Sequence, residues 1–166
     1  MVQRAEGLIS LFYLLTLYCV AHWNVGYELL KQKRYEEALV AMQRGTALRP
    51  KLLQGMVYLG RAQRMARRPR DAIATLTRAI ARFPKVAVPY RDRADAYSDS
   101  GQWEKALADY DTYVAMVPRD LEAAYWRANT LVRLGRHREA IAAYSRVLEG
   151  RPRHVAALEG RALAHA

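Results

Sequence analysis

Small and apolar positions recur along this chain every 34 residues. Pro50, Pro84, Pro118 and Pro152 share that period, and so do Ala38, Ala72, Ala106 and Ala140. In blocks beginning at Cys19, Leu53, Ala87 and Leu121, the eighth residue is small: Gly26, Gly60, Ala94 and Ala128. The twenty-fourth is large and apolar: Met42, Leu76, Tyr110 and Tyr144. Small residues at the eighth and twentieth positions let two helices approach closely, since interaxial separation follows the side chains at the contact. Each block therefore predicts a pair of helices of about 13 residues, roughly 20 Å long. A repeat of this length cannot bury its apolar surface alone, so neighbours must stack. The expected fold is all-α: an α-solenoid of stacked antiparallel helix pairs, with four full repeats plus a terminal helix.

Local signals agree with that division. Each late proline follows an apolar stretch that it cannot continue, and so ends the second helix. Asp120 reads as an N-cap, with Glu122 favoured in the first turn by the helix dipole. Pro89 suits a first-turn position, where its missing N–H costs nothing. Gly101 and Gly135 stand where a left-handed residue would close a helix.

The combined spacing resembles the tetratricopeptide repeat over residues 19–152. That family's pattern has an early aromatic, small residues at positions eight and twenty, an aromatic near seventeen and a late proline. Tyr35 and Trp103 match at position seventeen, and Tyr90, Tyr97, Met56 and Leu131 match elsewhere. The chain departs from the pattern at position seventeen with Pro69 and His137, and at position twenty-seven with Gly45, Tyr113 and Val147. The resemblance implies a superhelix whose repeats fall at 19–52, 53–86, 87–120 and 121–154.

Both flanks are ambiguous. Residues 1–18 form a hydrophobic segment, and 7–27 carry no Asp, Glu, Lys or Arg. The strongly apolar part, residues 8–21, is shorter than the roughly 20 residues a membrane helix needs. Cys19-Val20-Ala21 offers a small-x-small cleavage site for a secretory signal, although Glu6 nearly cancels Arg4 ahead of it. If the segment spans a membrane, Lys31, Lys33 and Arg34 favour a cytoplasmic solenoid. It also runs without a breaker into the first repeat and could be a packed helix. Membrane association or export is the preferred expectation, with a cytoplasmic protein as the alternative. Residues 153–166 repeat only a first helix, because Arg161-Ala162 echoes Arg93-Ala94 and Arg127-Ala128. They read as a capping helix or a truncated fifth repeat.

Charge changes the picture at one edge. The chain holds 27 basic and 16 acidic residues, a net charge of +11. Much of the excess sits in the turns inside the first, second and fourth helix pairs, at Lys33, Arg34, Arg67, Arg68, Arg70, Arg136 and Arg138, and the third turn, around Asp99 and Gly101, breaks the pattern. Stacked repeats would line these turns along one basic rim, diluted by Glu36, Glu37, Asp71 and Glu139. That rim is either a solvated edge or a footprint for nucleic acid, an acidic protein or an anionic membrane surface. Arg93, Arg127 and Arg161 repeat at position seven, where packed stems with paired or snorkelling heads are expected.

Positions two, five, six, nine, twelve and thirteen of each first helix face away from the partner helix. In the resembled family that face lines a concave groove gripping peptides or partner helices. Carried over by position, the groove takes Trp23, Asn24 and Tyr27 from the first block and Tyr58, Arg61 and Arg64 from the second. The third supplies Asp92, Asp95 and Asp99, and the fourth Tyr125, Trp126 and Asn129. Aromatic residues and arginine are common interface anchors, so these sets are not those of a merely solvated face. The carboxylate clamp of chaperone-binding members is missing. Its places hold Trp23, Tyr27, Tyr58, Val88 and Asp92, or, one block on, Val57, Arg61, Asp92, Glu122 and Trp126.

No catalytic site is expected. The histidines His22, His137, His154 and His165 lack metal-helix spacing, Cys19 is alone, and there is no phosphate loop or nucleophile elbow. Neither a metal nor a cofactor is called for. The expected function is a non-catalytic scaffold binding a protein or peptide in its groove. The alternatives are nucleic-acid or anionic-membrane binding through the rim, and a docking or regulatory fragment of a larger enzyme.

Overall fold

The computed structural model describes residues 2–49 and 51–165, and side chains from Leu14 onward. Pro50 and the side chains of residues 8–13, on which two of the expectations above rest, lie outside the described residues. The described chain is helical throughout, without strands, as α1 (Val2–Lys31), α2 (Tyr35–Leu48), α3 (Leu53–Met65), α4 (Pro69–Arg82), α5 (Val88–Asp99), α6 (Trp103–Met116), α7 (Leu121–Arg133), α8 (His137–Gly150) and α9 (Val155–His165). It divides into two compact units, Met1–Ala79 and Ile80–Ala166.

In the first unit α1 packs on α2 and α3, and α2 on α3. In the second, α5 packs on α6, α6 on α7, α7 on α8, and α9 against both α7 and α8. The repeating contact is a large residue at position twenty-four seated on the small residue at position eight. A Cβ added to Gly26 would lie 2.8 Å from Met42 Cε, and one on Gly60 would lie 2.7 Å from Leu76 Cγ. In the second unit Ala94 clusters with Tyr110, and Ala128 with Tyr144. The alanines of position twenty, Ala38, Ala72, Ala106 and Ala140, are all fully buried.

Helix ends follow the local signals. Pro84, Pro118 and Pro152 each fall two residues past a helix end. Asp120 caps α7, its Oδ1 accepting the N–H groups of Glu122 and Ala123 at 3.1 Å. Pro69 and His137, which break the family pattern, simply open α4 and α8. Pro69 there gives up no helical hydrogen bond. Acidic residues stand in the first turns of α2, α4, α6, α7 and α8, where the dipole favours them.

Helix α1 differs from the 13-residue expectation at 30 residues. No proline interrupts it, and the apolar run joins the first repeat helix without a break. Among the described residues no helix is long and apolar enough to cross a membrane.

The turns inside the pairs hold an unexpected regularity. Gly101 and Gly135 take the left-handed conformation at φ 72° and 69°. Lys33 and Arg67, at the equivalent places of the first unit, take it too, at φ 59° and 60°. A side chain there crowds its own backbone at a cost of about 1 kcal/mol.

Two stability outcomes follow, both readable by urea unfolding. Gly60→Ala should destabilise by roughly 1–3 kcal/mol through overpacking on Leu76, although alanine is ordinarily the better helix former. Leu76→Val should recover part of that loss in the double variant, whereas simple additivity would disprove the contact. Arg67→Gly should stabilise by up to about 1 kcal/mol, and Gly135→Ala should cost a similar amount.

Candidate functional site

The second unit opens a cleft of about 510 Å³ lined from α5, α6, α7, α8 and α9. Its depth is set by Tyr110 and Tyr144, which are almost wholly buried. Each reaches from position twenty-four of its repeat to position nine of the same repeat. Tyr110 donates its hydroxyl to Asp95 Oδ1 at 2.6 Å, and Tyr144 donates to Asn129 Oδ1 at 2.5 Å. Burial, with Tyr125 alongside, pushes the Tyr144 phenol up to about 12. It therefore stays a neutral donor at ordinary pH. With its oxygen taken by Tyr144, Asn129 has only its amide N–H groups left for any further hydrogen bond.

Around Asn129 the wall is aromatic. Trp126 is 46% exposed, yet its indole N–H donates to Glu122 at 3.2 Å and Tyr125 meets it edge-on at 5.3 Å. Tyr125 also packs on His154, ring centres 4.9 Å apart. His154 in turn accepts the Ala157 N–H at 3.1 Å and so caps α9. Arg133 lies over the Trp103 ring at 5.7 Å. A large exposed ring held in one orientation loses little side-chain entropy when it binds.

The far wall was not anticipated. Ala156, Glu159, Gly160 and Leu163 of α9 line the cleft. They are positions two, five, six and nine of a block beginning at Val155, so the 34-residue register carried one step further finds them. Gly160 is needed for the fit, because a Cβ there would come within 2.6 Å of Tyr144 Cζ.

Of the expected groove residues, Tyr125, Trp126, Asn129 and Asp99 line this cleft, and Asp95 is held beneath it by Tyr110. Two expectations are corrected. Asp92 is buried, with Arg91 3.5 Å away, and is not presented to a ligand. Trp23 is only 3% exposed and belongs to the core of the first unit. It is admitted by two glycines: Cβ atoms on Gly45 and Gly55 would lie 2.7 and 2.5 Å from its ring. The absence of alanine at Gly45 is thus the space that removes Trp23 from the surface.

The rest of the first-unit set has a surface setting. Asn24 and Tyr27 are exposed, and Tyr58, Arg61 and Arg64 are half-buried. Tyr27 pairs with Tyr58 at 6.0 Å, and the Lys31 ammonium sits 4.7 Å above the Tyr27 ring.

Among the described residues, three of the six rim arginines have carboxylate neighbours. Arg34 donates twice to Glu37, Arg136 donates twice to Glu139, and Arg68 reaches Glu36 at 3.2 Å. Lys33, Arg67, Arg70 and Arg138 are exposed. The position-seven arginines are also tied down. Arg93 grips Asp109 through two bonds of 2.7 and 2.8 Å, and Arg127 bonds Asp111 at 2.5 Å. Arg161 reaches Ser145 at 3.4 Å.

Asp120 combines its cap with a bond from Tyr113 at 2.7 Å and with Arg91 at 3.6 Å. Burial pushes its carboxyl up, but the bonds from Tyr113 and Ala123, the Arg91 charge and the Glu122 N–H outweigh it, so the carboxyl lies below its ordinary range. A depressed carboxylate stabilises the fold above its unfolded pKa of about 4 and loses that contribution as pH falls through the folded value. The stability gap between the protein and Asp120→Asn should therefore be flat from neutral pH to about 4 and close below it. Urea titrations across that range would show this, and a gap unchanged at pH 2 would contradict it.

Tetratricopeptide repeat models match residues 20–52, residues 54–85, and residues 91–144 and 127–166. No curated protein matches the sequence. Among solved structures, MamA 41-end from Desulfovibrio magneticus RS-1 superposes with a TM-score of 0.80 at 15% identity, over 89% of this chain and 83% of that one. Another MamA crystal structure gives 0.77 at 20% identity, over 85% and 82%. A tetratricopeptide repeat protein from Parabacteroides merdae ATCC 43184 gives 0.76 at 23% identity, over 89% of this chain. This chain spans 59% of that protein's length. At these identities the likeness is one of fold, and with the matched repeats it places the chain in the tetratricopeptide repeat family.

Proposed function

We propose that the protein is a non-catalytic interaction scaffold that grips an extended segment of a protein partner in the cleft between α5, α7 and α9. The observation that carries this reading is Trp126, nearly half exposed yet fixed by Glu122 and Tyr125. A core has no use for such a ring, whereas interface energy concentrates on anchors of this kind. Asn129, its oxygen taken by Tyr144, offers its amide hydrogens to a backbone carbonyl of the bound segment. Tyr125 and Leu163 supply apolar walls for the side chains on either side.

Binding of nucleic acid or anionic membrane through the rim has less support. Arg34, Arg68 and Arg136 already face Glu37, Glu36 and Glu139. Such exposed pairs add little stability, but they lower the positive field that phosphate binding would use.

Peptides selected from a random display library on the intact chain provide the test. For a selected peptide, Trp126→Ala should cost roughly 2 kcal/mol, about a 30-fold rise in Kd by calorimetry. Helicity should be unchanged, and reversing charge at both Arg67 and Arg68 should leave Kd within about twofold. An unchanged Kd for Trp126→Ala would refute the cleft assignment. A loss confined to the arginine variant, with steep salt dependence, would favour the rim.

A further inference from the structure

Helix α1 belongs to the first unit, apart from the cleft-bearing second unit. From Leu14 onward it presents a stripe, Leu14, Tyr18, Ala21 and Val25, at spacings of four, three and four residues. That is the seam spacing of helices that pack along their length. Leu14, Tyr18 and Val25 are 61%, 52% and 55% exposed. The core of the unit is already served from another face of the same helix, by Cys19 and Trp23. Beside the stripe α2 presents Val40, 45% exposed. A shallow cleft of about 520 Å³ runs between the two helices, floored by Val25, Leu29, Val40 and Ala41. Scattered apolar residues are normal on a surface, but a contiguous strip of this kind marks an interface.

The charges along the strip indicate what covers it. Glu36 and Arg44 line the same cleft, one turn to either side of Val40. They stand about 12 Å apart along α2. A second copy turned by 180° about an axis through Val40 would set Glu36 of each copy opposite Arg44 of the other, where Glu36 would be shared with Arg68 of its own chain. Such self-complementarity is what an isologous interface requires. A lipid surface would instead favour a polar edge rich in lysine and arginine, whereas this cleft carries two acids, Glu36 and Glu37, against one base, Arg44.

We propose that the α1–α2 face joins two copies of this chain in a two-fold homodimer, Val25 and Val40 at its centre and two Glu36–Arg44 pairs at its edges. The two helix pairs then form a four-helix layer that covers both stripes. This contact is separate from the cleft of α5–α9, and its failure would leave that reading standing.

Sedimentation velocity on the intact chain, with circular dichroism as a check on helicity, tests the proposal. The protein should sediment as a dimer at micromolar concentration. Arg44→Glu should weaken dimerisation at least tenfold, and adding Glu36→Arg to it should restore the dimer by swapping both charges. Val40→Glu should give a monomer of native helicity. A monomer at every concentration, or a double variant no better than Arg44→Glu, would overturn the proposal. A monomer that floats with phosphatidylserine vesicles would also overturn it and would identify the strip as a membrane-facing surface.

Discussion

Within each unit the structure depends on how closely the two helices of a pair can approach. The large residue at position twenty-four has somewhere to go only because position eight is glycine or alanine. With Gly26 or Gly60 the space admits a branched or flexible side chain, Met42 or Leu76. With Ala94 or Ala128 it admits a flat ring, Tyr110 or Tyr144. The choice carries through to the candidate site. Methionine and leucine end inside the core, but a tyrosine reaches through it, and its hydroxyl emerges under position nine of the first helix.

That reach links the core to the candidate site. Tyr144 holds Asn129 and Tyr110 holds Asp95, so the residues below the cleft are fixed by the same side chains that fill the repeat. Tyr125, Trp126 and His154 then form a connected aromatic wall, and His154 ties that wall to the start of α9. The walls of the cleft are therefore held by contacts within the chain itself. Preorganisation of this kind lowers the entropic cost of binding. The first unit has glycine at position eight and no tyrosine at position twenty-four, and its described residues form no equivalent of this arrangement.

The register was legible in the sequence because packing imposes it. Prolines, alanines and small eighth positions carry one constraint each and repeat it four times, so helix pairs, caps and left-handed turns could all be placed from Asp120, Gly101 and Gly135. Solvent exposure was not legible in the same way. Position numbers place Trp23 and Asp92 on the groove face, but exposure depends on what else occupies that face. Gly45 and Gly55 leave a hole that an indole fills, and Arg91 accompanies Asp92 as it is buried. Neither follows from a period, because each belongs to one repeat only. Lys33 and Arg67 were missed for the opposite reason. Their backbone is set by the register, and the residue types give no hint of it. The lining residues of α9 lay within reach of the pattern and needed only one more step of 34.

The central claim is that a bound segment lies against Trp126 and Asn129. The most direct measurement is an amide and indole NMR titration of the isotopically labelled protein with a display-selected peptide. The largest shifts should fall on the Trp126 indole N–H and the Asn129 side-chain N–H groups, with intermolecular contacts from the peptide to Tyr125 and Leu163. Shifts that instead cluster on the turns at Arg67 and Arg68, with the Trp126 indole unmoved, would contradict the account.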